Sequence, residues 1–151
     1  MTDQHHKREL ANTQALNDPQ PGDYWQEMFC PYFVVVHVEG NQYRVLSCLG
    51  GPDSFTRKDE INARIELDDG WTFDLSKSML VDHAWIKKAV CYDSMGGFVA
   101  DVVRSEKTLQ IAQEWRDWRQ KQMRQQIDQL TQEWETFTGW TALKTHEKDL
   151  L

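Results

Sequence analysis

The last third of the chain constrains the fold most, because its apolar residues change period there. Between Leu109 and Phe137 they fall at Leu109, Ala112, Trp115, Trp118, Met123, Ile127, Leu130, Trp134 and Phe137. Spacings of three and four residues put such positions on one side of an α-helix, with one skip of five between Trp118 and Met123. No proline or glycine interrupts the stretch, and Gln, Glu, Arg and Lys dominate its other positions; all four are strong helix formers. Ser105, with Glu106 or Thr108 close by, suits an N-terminal cap, and Gly139 suits a stop. The pattern predicts an amphipathic helix from about Ser105 to about Phe137.

A helix of that extent is about 50 Å long at about 1.5 Å per residue. The preceding part of the chain, if it folds as a β-domain, should be only about 25–30 Å across. Two outcomes are open: a helical hairpin that bends near the skip after Trp118, or a helix whose far half pairs with another chain.

Upstream the period is two. Asp18-Pro19-Gln20-Pro21-Gly22-Asp23 marks a boundary, since proline and glycine break regular structure and aspartate closes turns. Tyr24–Cys30 and Tyr32–Val38 read as strands, and Glu39-Gly40-Asn41 turns the chain into a return strand at Gln42–Cys48. A loop covers Leu49–Glu60. Ile61, Ala63, Ile65 and Leu67 then alternate up to the Asp68-Asp69-Gly70 turn, and Trp71, Phe73 and Leu75 alternate after it. Ser76–His83 reads as a connecting turn or one short helix. Trp85–Tyr92 and Phe98–Val103 complete a set of about seven strands around a turn at Asp93–Gly97. The expected fold is α+β: a small antiparallel sheet or SH3-like barrel built from hairpins, followed by the helix. The chain divides into a flexible polar segment at 1–18 with a helical turn or two, a β-rich domain at 19–104, a helix at 105–138 that packs on the domain, on a partner or on both, and a tail at 139–151.

Composition narrows the function classes. Seven tryptophans in 151 residues favour a binding surface, because Trp is enriched at interface hot spots. A net charge of −7 argues against a general nucleic-acid binder. Three cysteines, a polar N-terminus and the lack of a long apolar run point to a cytoplasmic protein with reduced thiols and no membrane span.

No constellation carries clear chemistry. His5-His6 lacks further ligands at helical spacing, and no Cys-x-x-Cys or His-x3-His is present, so neither a metal nor a cofactor is expected. Cys30 beside Phe29 and Pro31 reads as a packed thiol, with His37 a remote candidate base. Glu66, Asp68 and Asp69 are explained by a turn without a cation. Asp74, Asp82 and His83 could line a cleft for acid–base chemistry or a small ligand, but an Asp and a His beside a turn are common. Trp115 through Arg124 interleaves aromatic and basic side chains. Such a pattern serves base stacking and phosphate contact, here through Arg116, Arg119, Lys121 and Arg124. It serves equally an amphipathic helix with arginines bordering the buried face.

Gly22-Asp23-Tyr24-Trp25 leading into Pro31-Tyr32-Phe33-Val34-Val35-Val36 and a glycine-turn hairpin resembles the opening of small bacteriophage-encoded accessory proteins with an SH3-like domain. The resemblance covers about residues 21–48 and carries no functional residues across. It implies a phage protein that binds and modulates a host or defence factor. Together the residues favour a non-enzymatic protein-binding module acting by surface occlusion through Trp115, Trp118, Arg119, Met123, Ile127, Leu130 and Trp134. A host factor is one possible partner, and a homodimer through the helix the other.

Overall fold

The computed structural model describes residues 2–27, 30–49, 63–67, 70–91 and 97–138. Its centre is the hairpin read from the Gly40 turn. Strand β2 (Cys30–Glu39) returns as β3 (Gln42–Ser47), and Gly40 takes the left-handed φ of 64° that the reversal requires. Strand β1 (Tyr24–Glu27) lies on the other side of β2. With β6 (Met79–Asp82) and β7 (Asp101–Val103) they form a five-stranded antiparallel sheet in the order β6-β3-β2-β1-β7. β4 (Arg64–Glu66) and β5 (Thr72–Asp74) form a separate two-stranded sheet. The fold is α+β, as the two periods predict, and no closed barrel forms: β6 and β7 end the sheet without pairing to each other.

Phe33, Val34, Val35 and Val36 are all fully buried, so β2 is covered on both faces. On one face Phe33 and Val35 join Trp25, Val45 and Val81. Ala15 and Leu16 of helix α1 (Thr2–Asn17) and Ile86 and Val90 of helix α2 (His83–Val90) pack against them. Phe33 meets Trp85 edge to face at 5.3 Å, and Trp25 stacks on Phe98 at 6.1 Å. On the other face Tyr24, Val34 and Leu46 form a cross-strand row. There the ring of Tyr24 lies edge-on to Phe73 of β5 at 6.1 Å. A bulge between Val35 and His37 shifts the register so that His37 pairs with Arg44. It turns His37 to this second face, where Trp115 stacks on it at 5.6 Å.

Helix α3 (Glu106–Thr138) is a single helix of 33 residues, so the hairpin alternative does not form. Its first turn is closed reciprocally: Thr108 N donates to Ser105 Oγ at 3.3 Å, and Ser105 N donates to Thr108 Oγ1 at 3.0 Å. No described helix is long and apolar enough to cross a membrane.

The structure differs from the sequence reading in three further places. Residues 2–17 form a 16-residue helix rather than a turn or two, and Asn12, Ala15 and Leu16 are buried. The Asn12 amide donates to Asp101 Oδ1 at 2.9 Å and accepts from Val102 N at 2.9 Å, which ties α1 to β7. The segment read as a strand at Trp85–Tyr92 is instead α2 over most of its length. Asp82 caps it by accepting from Trp85 N at 2.8 Å, and Trp85/Ala89 and Ile86/Val90 fall at the four-residue spacing of one helix side. The supposed connector before it holds a single 3-10 turn (Leu75–Lys77) and strand β6. The loop at 50–62, the Asp68-Asp69 pair, most of the Asp93–Gly97 turn and the tail at 139–151 lie outside the described residues.

Candidate functional site

By its contacts the chain separates into two units, residues 1–116 and residues 117–151. The first holds both sheets, α1, α2 and the opening turns of α3. Four tethers fix those turns within it. Thr108, Ile111, Ala112 and Trp115 are buried. Leu109 lies directly against Gly22, whose φ of 94° excludes most side chains, and a Cβ there would come within 2.7 Å of Leu109 Cδ2. Arg104 forms a two-pronged pair with Asp23: Nε donates to Oδ1 at 2.5 Å and Nη2 to Oδ2 at 3.1 Å. Asp23 is 1% exposed and also accepts from Gln20 N at 3.0 Å. The hydrogen bond to Asp23 raises the Arg104 pKa above its usual value, against the opposing effect of partial burial. The Ser105–Thr108 cap completes the set. The Gly22-Asp23-Tyr24-Trp25 motif is therefore structural: Gly22 and Asp23 hold α3, and Tyr24 and Trp25 fill opposite faces of the sheet.

The candidate binding residues fall into different environments. Trp115 is 3% exposed and packed on His37, and its indole N–H meets no acceptor among the described residues, so the ring contributes surface rather than a hydrogen bond. Trp118 and Arg119 are half-buried. In the second unit, Met123, Ile127, Leu130 and Trp134 are exposed by 48, 60, 64 and 53%, and Phe137 by 90%. Isolated exposed apolar residues are ordinary, but a row of five on one stripe of one helix is not. Phe137 was legible as part of the stripe, and its exposure adds it to the surface.

The alternative sites come apart in the structure. Asp74 is buried and occupied: its Oδ1 accepts from Ala63 N at 3.2 Å, Ser76 N at 2.9 Å and Ser76 Oγ at 2.6 Å. Asp82 is the α2 cap, and His83 Nε2 donates to Leu16 O at 2.5 Å, fastening α2 to α1. A small cleft of about 130 Å³ opens between Ile65 and Leu67 of the two-stranded region and Lys107, Gln110, Ile111 and Glu114 of α3. Broader hollows lie at Tyr32, Trp85, Lys88 and Ala89 and around Gln26, Phe98 and Val102. Asp74, Asp82 and His83 line none of these three. Cys30 opens β2 while His37 lies seven residues on in the same strand, about 23 Å away at about 3.3 Å per residue. Among the described residues no group of three His, Cys, Asp or Glu side chains is placed to hold a metal ion.

The basic residues of α3 spread over about half of its circumference. Arg116, Lys121 and Arg124 are exposed. At about 100° per residue, Arg116, Arg124 and Lys121 stand about 60°, 140° and 200° round from Arg119. A nucleic-acid strand needs its phosphate contacts on one side. The best-formed candidate surface is the exposed apolar seam of residues 123–137. Comparison with known proteins adds no relative: no family model, no curated protein and no solved structure matches the chain.

Proposed function

We propose that this protein is a non-enzymatic protein-binding module whose working surface is the second part of α3. The exposed row Met123, Ile127, Leu130, Trp134 and Phe137 carries the reading. A helix that presents apolar side chains at i, i+4, i+7 and i+11 matches the way amphipathic helices seat in grooves or against other helices. Trp134 and Phe137 supply large anchors of the kind that dominate interface energies. The chain would act by covering a surface on its partner, and the resemblance of residues 21–48 to phage accessory proteins makes a host or defence factor one candidate.

A photo-crosslinking residue at Leu130, compared with one at Gln132 on the opposite side of the helix, tests this reading in cells. A protein adduct from position 130 and none from 132 is the expected result. Adducts to nucleic acid, or equal labelling from both positions, would count against it. The nucleic-acid alternative, through Arg116, Arg119, Lys121 and Arg124, requires binding that weakens steeply with salt.

A further inference from the structure

The exposed seam has a finer pattern than exposure alone. From Met123 the steps to Ile127, Leu130, Trp134 and Phe137 run four, three, four, three. That is the average 3.5-residue repeat by which one helix wraps on another. The charged residues of this part of the helix are sorted by sign along the axis; at about 100° per residue Arg119, Arg124 and Glu133 flank the seam, and Lys121, Asp128 and Glu135 lie on the outer side of the helix. Arg119, Lys121 and Arg124 come first, with Asp117 the one acidic residue among them, and Asp128, Glu133 and Glu135 follow. All of these are exposed except Arg119, which is half-buried. A second helix of the same sequence laid parallel would set basic against basic and acidic against acidic. Laid antiparallel, it sets each basic part against an acidic part.

Building on the reading of this seam as a binding surface, we propose that its occupant is a second copy of this chain, paired antiparallel through residues 123–137. With Phe137 left beyond it, against the partner's Gln120, the register sets Met123 opposite the partner's Trp134 and Ile127 opposite the partner's Leu130. Both contacts occur twice by symmetry, as a two-fold interface requires. The unbranched Met123 side chain accommodates the irregular outline of an indole. The same register brings Arg124 level along the axis with the partner's Glu133, although the two border opposite edges of the contact, so the attraction acts between the basic and acidic ends as wholes and not through one ion pair. Like-charge repulsion in the parallel arrangement is what selects the orientation. Only about two heptads are involved, fewer than the three or four of a freestanding coiled coil, so the pairing is reversible and dependent on concentration.

Sedimentation equilibrium of the full chain over a wide concentration range tests the proposal. The mass should rise from that of the monomer toward twice that value, and added salt should weaken the association. The triple variant Arg119→Glu/Lys121→Glu/Arg124→Glu makes the helix acidic along its length and should raise the dissociation constant about tenfold or more. Ile127→Glu/Leu130→Glu should remain monomeric with unchanged helix content by circular dichroism, since both sites are exposed and Glu favours helix. A parallel dimer would respond oppositely to salt and tolerate the charge reversal, which overturns the proposed orientation. A chain that stays monomeric throughout overturns the second copy as occupant but not the wider reading, which the Leu130 crosslink to another protein still decides. A dimer that survives Ile127→Glu/Leu130→Glu places the contact elsewhere and overturns the proposed pairing, again leaving the wider reading to the Leu130 crosslink.

Discussion

The opening turns of α3 and the rest of the same helix make a natural comparison. Residues 106–116 bury Thr108, Ile111, Ala112 and Trp115 against the sheets, whereas residues 117–138 leave Met123, Ile127, Leu130, Trp134 and Phe137 exposed. Both parts have a helical apolar period and similar polar filling. Local sequence therefore made them alike, and what differs is whether a covering surface exists. Periodicity states that a face wants burial and is silent about what buries it.

The largest expected effect breaks that comparison directly. Trp115→Ala should lower the free energy of unfolding by about 3–5 kcal/mol, as for a large aromatic removed from a core. Leu130→Ala should change it by only about 0.5 kcal/mol or less in dilute solution. Urea denaturation of both variants measures the contrast, and an equal loss would mean that the second part is also covered within the monomer.

The next effect concerns the tether. Asp23→Ala should cost about 2–3 kcal/mol, because it removes the acceptor of Gln20 N and of both Arg104 prongs. The charge contribution is at the low end because the Arg104 side chain is half exposed. Since the folded pKa of Arg104 is raised, its share is present below the unfolded value and lost only as pH climbs through the folded one. A thermal unfolding midpoint that does not fall between neutral and mildly alkaline pH on account of this pair is the corresponding check.

Gly22→Ala should cost about 1–3 kcal/mol through its positive φ and the approach to Leu109. Combining it with Leu109→Ala should recover the steric share and leave the conformational share, a split that equilibrium denaturation of the double variant resolves. Ser105→Ala is the smallest, about 1 kcal/mol from the lost cap. Amide exchange should show that loss in the first turn of α3 and leave the far turns unaffected.

Much of the architecture was legible because it rests on short-range chemistry. The Gly40-Asn41 turn announced its hairpin, and the uninterrupted run of helix formers announced α3. Helix α2 was not legible as a helix: eight residues with Trp85, Ile86, Ala89 and Val90 satisfy a strand pattern nearly as well. The usable signals were Asp82 at the cap and Lys87 and Lys88 in the last turn. Helix α1 was read as only a turn or two because its buried set is Asn12, Ala15 and Leu16, a helical spacing that appears only if an asparagine counts as buried. For the candidate surface, the stripe was visible but its partition was not. That Trp115 belongs to the core while Ile127 does not depends on the His37 bulge and the Asp23–Arg104 tether, which are contacts between distant parts of the chain.

The Asn12 amide has a consequence for solubility. β7 is the last strand of its sheet, and the outer backbone of such a strand is a template on which any extended peptide can add. By accepting from Val102 N, the Asn12 side chain takes up a bond that an incoming strand would otherwise seek. A single carboxamide on a polar helix thus stands where a neighbouring strand would add, and withholds that bond from the open end of the sheet.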